Sequence, residues 1–217
     1  MLLFMVAFMV VGGCVDIRTP DPAVMYVAFG DSTTRGPSSR DYPDILRETL
    51  GVPAEAFANE GLSGETSGEG VTRLKGLIDA VIYPNARVLL YWEGGKDLTE
   101  FIEDHDPFLL FSPAQQDYPF DQELVTRLDE VRANVEAAIF AGRQAGLMVY
   151  VATYFFLRQG LQFCDALPFN ILLPGQAVNG NAYLVRLNEQ LRAAAESGGA
   201  VLVDVAVSET IPTGAAN

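Results

Sequence analysis

Short apolar runs and longer amphipathic stretches alternate along most of the chain. Ala23 to Gly30, "AVMYVAFG", is apolar at successive positions and bounded by proline and glycine, the pattern of a strand covered on both faces. Residues 42–51, "YPDILRETLG", set Ile45, Leu46, Thr49 and Leu50 at helical spacing, with Gly51 as the stop. "EAFANEG", residues 55–61, is a second, brief strand. Over residues 70–84, Val71, Leu74, Leu77, Ile78, Val81 and Ile82 form one helical stripe that Pro84 closes. A third strand is expected at Ala86 to Gly95, "ARVLLYWEGG". The longest helix follows over 120–146, with Leu124, Leu128, Val131, Val135, Ala138 and Ile139 inward and Gly146 at its end. A fourth strand is expected over 147–155, a helix over 181–199, and a fifth strand over 200–207, "AVLVDVAV".

Strands separated by helices of this length imply parallel βαβ units with right-handed crossovers. In such a sheet, ligands collect beyond the carboxyl ends of the strands. Three turn-rich clusters fall there: "GDSTTRG" after the first strand, "NEGLSGETSGEG" after the second, and "EGGKD" after the third. The segments Asp97 to Phe120 and Leu157 to Gly180 exceed the usual connection length and are expected as walls or lids of a site. Ser32 stands where a buried strand breaks into a polar turn, so it either caps a helix or displays its hydroxyl for chemistry.

Composition narrows the classes. At 217 residues, with 49% apolar and 19% charged, the chain suits one α/β domain with a sizeable core. The net charge of −14, with no cluster of Lys or Arg, argues against a nucleic-acid partner. His105 is the single histidine and no CxxC occurs, so no metal site is expected.

The start of the chain is a separate object. "MLLFMVAFMVVGGC" is apolar from Met1 to Val11, shorter than the ~20 residues a spanning helix needs, and suits the core of a secretory signal. Its "VGGC" ending resembles a bacterial lipobox, which implies cleavage before Cys14 and acylation of that cysteine; the competing reading is a buried N-terminal strand. No Lys or Arg precedes the apolar run, as a signal would require, so the start reads as clipped or misassigned. Residues 1–14 are thus expected as a signal segment, 15–24 as a tether carrying Pro20 and Pro22, and 25–217 as the folded domain. With Cys14 acylated, Cys164 is a small hydrophobe beside Phe163; otherwise a Cys14–Cys164 bridge is open to an exported protein.

The three clusters, in this order, resemble the sequence blocks of the SGNH or GDSL hydrolases, a family of esterases, lipases and acylhydrolases. The resemblance runs from about Met25 to Val207. It implies a three-layer α/β sandwich with a five-stranded parallel sheet, flavodoxin-like in order 2-1-3-4-5. "FGDSTTRG" matches the first block, making Ser32 the nucleophile, with Asp31 beside it. "NEGLSGETSGEG" matches the second, whose glycine lends a backbone N–H to the oxyanion hole, here Gly64. "GGKD" occupies the third, where the family has asparagine as a further donor and this chain has Lys96, followed by Asp97. An ammonium can donate to an oxyanion, but it is a mobile, hydrated point charge rather than a fixed amide. Lys96 is equally expected to face solvent or pair with Asp97 or Glu93.

The family closes with D-x-x-H after the fifth strand, and "VLVDVAVSETIPTGAAN" contains no histidine. His105 has Ile102, not a carboxylate, three residues before it and is expected on a solvated acidic loop; Asp204 falls within the expected fifth strand. Three explanations stand: a truncated enzyme, which we favour; a member that binds without turnover; or a non-histidine base such as Asp31 or Lys96. The resemblance implies a lipid-anchored, exported cell-envelope esterase, with very weak turnover in the chain as it stands. Its substrate would be a small-molecule, lipid or glycan ester, it needs no cofactor, and it meets the membrane only through the anchor. The alternatives are a cell-surface glycan- or lipid-binding module and a flavodoxin-type nucleotide binder, the latter opposed by the absence of a glycine-rich phosphate cradle. Phe101, Phe108, Phe111, Tyr118 and Phe120 could line an acyl pocket or pack their loop down, and packing is expected.

Overall fold

The computed structural model describes residues 18–37, 41–158 and 172–208. The apolar run of residues 26–30 becomes β1 (Tyr26–Gly30), whose Val27, Ala28 and Phe29 are sealed from solvent. Parallel neighbours flank it, β2 (Phe57–Gly61) on one side and β3 (Val88–Trp92) on the other. Outside β3 come β4 (Met148–Ala152) and β5 (Val201–Val203), giving the order β2-β1-β3-β4-β5. Gly30 stands level with both Gly61 and Trp92, so β2, β1 and β3 end together. The chain's direction of travel across the sheet reverses between β1 and β3, which opens a crevice above their carboxyl ends.

The helices are α1 (Ser32–Arg35), α2 (Tyr42–Leu50), α3 (Ser67–Asp79), α4 (Gly95–His105), α5 (Asp121–Gln144), α6 (Pro174–Gly198) and α7 (Val205–Ser208). α5 packs along α3, α4 and α6, and its Leu124, Leu128, Val131, Val135, Ala138 and Ile139 are all buried, as its periodicity requires. Tyr42 and Leu46 of α2 lie against the opposite face of the sheet, beside Leu90, Trp92 and Tyr150. Helix, sheet and helix make three layers, the expected α/β sandwich.

Several boundaries depart from the sequence pattern. α3 begins at Ser67 because Thr66 and Glu69 form a reciprocal capping box, and it ends at Asp79. Val81 then takes φ 52° and turns outward, so it leaves the stripe, while Ile82 stays buried in the following turn. The segment from Asp97 onward is not a loop throughout: α4 occupies its first part, burying Leu98, Phe101 and Ile102 at helical spacing. The Gly94–Gly95 pair looked like a turn but serves as the start of that helix. α6 begins at Pro174, several residues before position 181, with proline at its tolerated first turn. β5 stops at Val203, which leaves Asp204 outside it, and its side chains are 38–46% exposed rather than buried.

Residues 18–24, expected as part of a tether, lie against the domain. Asp21 N–H donates to the Ile82 carbonyl at 2.7 Å, Asn85 Nδ2 to the Pro22 carbonyl at 2.9 Å, and Arg18 pairs with Glu60 at 2.7 Å. Cys14, Cys164, the rest of residues 1–14 expected as a signal and the stretch from residue 209 onward fall outside the described residues.

Candidate active site

The turn that carries Ser32 is assembled from the end of β1. Asp31 N–H donates to the Trp92 carbonyl at 3.2 Å, continuing the pairing with β3, and Asp31 then caps α1 by accepting the Thr33 N–H at 2.7 Å. Ser32 is the first residue of this one-turn helix and is exposed. The first N–H groups of a helix have no intrahelical acceptor. Among the described residues, none accepts the Ser32 N–H.

The Gly64 turn comes from the neighbouring strand. Leu62 N–H reaches back to the Gly30 carbonyl at 2.8 Å, and Glu65 N–H donates to the Leu62 carbonyl at 3.3 Å. Gly64 has φ 81°, a conformation that favours glycine, and its N–H also meets no acceptor among the described residues. Beyond it, Arg73 holds Glu65 through Nε at 2.6 Å and Nη2 at 2.5 Å, and reaches Glu60 at 3.1 Å. The same guanidinium lies 3.9 Å above the Phe29 ring, a cation–π contact. The turn is thus fastened at both ends.

Ser32 and Gly64 border one cavity of about 390 Å³. Asp31, Thr33, Gly95, Lys96 and Tyr154 share its rim, and Leu98, Ile102, Leu109, Leu157 and Leu184 form an apolar end between α4 and α6. Its size and its mix of apolar wall and few polar groups suit a small organic ligand. Lys96 Nζ lies 3.5 Å from Glu100 and 3.9 Å from Glu103, one and two turns along its own helix; it pairs with neither Asp97 nor Glu93. Asp97 turns away from the cavity. It is 3% exposed and accepts the Ser67 N–H at 2.7 Å and the Ser67 hydroxyl at 3.0 Å, bracing α3 against α4. Burial pushes its pKa up, and the Ser67 donors oppose that shift.

The model of the GDSL-like lipase/acylhydrolase family matches residues 28–216. The chain belongs to this family. Solved structures agree in fold. The SGNH-hydrolase family esterase AlinE4 is 20% identical, with 83% of this chain and 75% of that one covered and a TM-score of 0.51. A lipolytic protein of the G-D-S-L family from Veillonella parvula is 17% identical, with 85% and 79% covered and a TM-score of 0.53. A GDSL-like lipase from Bacteroides thetaiotaomicron is 15% identical, with 84% and 68% covered and a TM-score of 0.50. Among curated protein sequences, no relative matches it.

In this GDSL-family hydrolase, the single histidine is remote from the serine turn. His105 ends α4, its Nδ1 lies 3.0 Å from the Phe101 carbonyl, and its ring stacks on Phe101 at 4.4 Å with the edge of Phe120 at 5.1 Å. It borders no part of the cavity. The expectation of a solvated loop is corrected: the ring is half-buried in an aromatic cluster. Phe101, Tyr118 and Phe120 belong to that cluster, Phe111 leans on Phe120 at 6.0 Å, and Phe108 is exposed; none of the five lines the cavity. Asp204, placed in the fifth strand by the sequence pattern, instead follows it, bonded by the Thr153 hydroxyl at 2.9 Å and by Arg192 at 2.8 and 3.0 Å.

Two residues that sequence reasoning passed over stand beside the serine turn. Tyr154 donates its hydroxyl to Asp31 Oδ2 at 2.6 Å and accepts the Gly95 N–H at 2.9 Å. Glu93 is 1% exposed, and no protein N–H or hydroxyl among the described residues reaches either of its oxygens. Burial, the Asp31 charge and Glu65 together push its pKa up to about 11, so it stands as the neutral acid. Asp31 is raised by burial too, against the hydrogen bonds from Tyr154 and Thr33. "YWEGG" gave one signal for Glu93, a carboxylate directly after a fully apolar strand.

Proposed function

We propose that the chain is a serine carboxylic-ester hydrolase. Ser32 Oγ attacks the ester carbonyl, and the N–H groups of Ser32 and Gly64 stabilise the oxyanion that forms. Donors aimed in advance at that developing charge account for a large part of acyl-transfer catalysis. The observation that carries the reading is that Ser32 and Gly64, each with an unengaged N–H, border one cavity with an apolar end. That end is the acyl site, and the alcohol departs over the open rim. Lys96, held toward Glu100 and Glu103, is a rim cation; the asparagine donor of the family pattern has no rigid counterpart here. Loss of one well-placed donor costs ~2.7–4 kcal/mol of transition-state stabilisation.

The 217-residue polypeptide is expected to turn over very slowly, because its one imidazole packs against Phe101 and Phe120. A serine hydroxyl needs a neighbour to take its proton. The lipobox-like "VGGC" supports a lipid-anchored envelope protein; the mass of the peptide carrying Cys14 from native membranes tests this.

The test of the nucleophile combines p-nitrophenyl acetate hydrolysis with mass spectrometry after a fluorophosphonate. The expected result is slow hydrolysis and a slow adduct on Ser32, both absent in Ser32→Ala. An adduct elsewhere, or hydrolysis unchanged by Ser32→Ala, overturns the assignment. Fast turnover that Ser32→Ala abolishes would retain the nucleophile and refute the claim that no base serves it.

A further inference from the structure

Tyr154 follows β4 and ends in a hydroxyl that two other strand ends share. Asp31 follows β1 and Gly95 follows β3, so the bonds of 2.6 Å to Asp31 and 2.9 Å from Gly95 N–H join the ends of three adjacent strands through one oxygen. The fit is close. A Cβ at Gly95 would come within 2.7 Å of Tyr154 Cε1 and 2.9 Å of Asp31 Oδ2. Tyr154 is held in turn by Asn188, a fully buried side chain of α6, which accepts its N–H at 2.7 Å and donates to its carbonyl at 2.8 Å.

Asp31 uses its two oxygens for two different tasks. Oδ1 holds the Thr33 N–H and so sets the turn in which Ser32 stands, while Oδ2 takes the Tyr154 hydroxyl. The carboxylate is 2% exposed, and its other ionisable neighbours are Glu93 at the end of β3 and Tyr42 on α2. Without the phenol, a buried anion would lose a donor, which is costly, and would take up a proton more readily.

We propose that Tyr154 is a positioning residue for Ser32: its hydroxyl fixes Asp31, and through Asp31 the serine turn, against the start of α4. This rests on the reading of Ser32 as the nucleophile. Nothing in the sequence pairs positions 31 and 154; only the sheet order brings them together.

The experiment compares the wild type with Tyr154→Phe, Asp31→Asn and the double variant. One readout is the rate of fluorophosphonate labelling of Ser32, and the other is the Asp31 carboxyl titration by carbon-13 NMR. Tyr154→Phe is expected to raise the Asp31 midpoint and to slow labelling about tenfold, in line with the sensitivity of reaction to small misplacements. The double variant is expected to label no more slowly than the slower single variant, because both act through one contact. Additive losses with an unmoved Asp31 midpoint overturn the proposal. A wild-type measurement needs no variant: the Tyr154 hydroxyl proton should exchange slowly and shift as Asp31 titrates, and a freely exchanging proton speaks against the contact. If wild-type Ser32 fails to label, the nucleophile reading falls, and the Asp31 midpoint in Tyr154→Phe then decides the positioning role alone.

Discussion

Glu93 brings a carboxyl group into the core end of the site, where an ionised form would face Asp31 and Glu65 without a donor of its own. Folded, it keeps its proton to about pH 11, whereas in the unfolded chain it releases that proton near 4.5. Across that interval the folded state binds more protons, so this residue's contribution to stability is full at acid pH and falls as pH rises. One proton changes stability by about 1.4 kcal/mol per pH unit over such a window. Glu93→Gln keeps the shape and removes the ionisation. Urea denaturation at about pH 6 and about pH 9 should show wild type losing more stability than the variant over that range. Equal losses would mean that Glu93 ionises normally. At this scale the sequence was legible for Ser32, Asp31, Gly64 and Lys96, which a motif sets on one cavity rim. Asp97, which the third block sets beside Lys96, turns its side chain instead to Ser67, thirty residues earlier, and local order cannot tell this. Tyr154 was illegible for the same reason, since its partner lies 123 residues away.

Between elements, α1 closely approaches the end of β2. A Cβ at Gly61 would come within 2.1 Å of Arg35 N and 2.6 Å of Thr34 C, both backbone atoms that cannot step aside cheaply. Gly61→Ala should therefore destabilise the protein by roughly 2 kcal/mol or more, measured by urea denaturation, and slow Ser32 labelling along with it. A loss below roughly 0.5 kcal/mol would show that α1 is free to move. The periodic stripe of α5 could be read correctly because one face meets the core over its whole length. α4 could not, since glycines at its start mimic a turn and its apolar positions are only Leu98, Phe101 and Ile102. The ends of α3 and α6 were set by a capping box and a first-turn proline, signals weaker than the hydrophobic stripe.

For the molecule as a whole, the alternation of strands and helices made parallel βαβ units legible, and the family resemblance supplied the sheet order. Its net charge of −14 has a consequence for stability. Like charges repel more in the compact state than in the extended one, and salt screens that repulsion. Raising sodium chloride from about 20 to about 300 mM should raise the Tm by calorimetry. A fall would mean that the Arg73–Glu60–Glu65 and Arg192–Asp204 pairs outweigh the general repulsion.

The double fastening of the Gly64 turn also determines when that stretch loses its freedom. Leu62 is bonded to Gly30 before it and Glu65 to Arg73 after it, so its ordering is completed as the chain folds. A visiting molecule then meets a rim already in shape. Association should leave the amide exchange rates of Leu62 and Glu65 nearly unaltered, and discrimination among visitors shifts to the oily recess between α4 and α6.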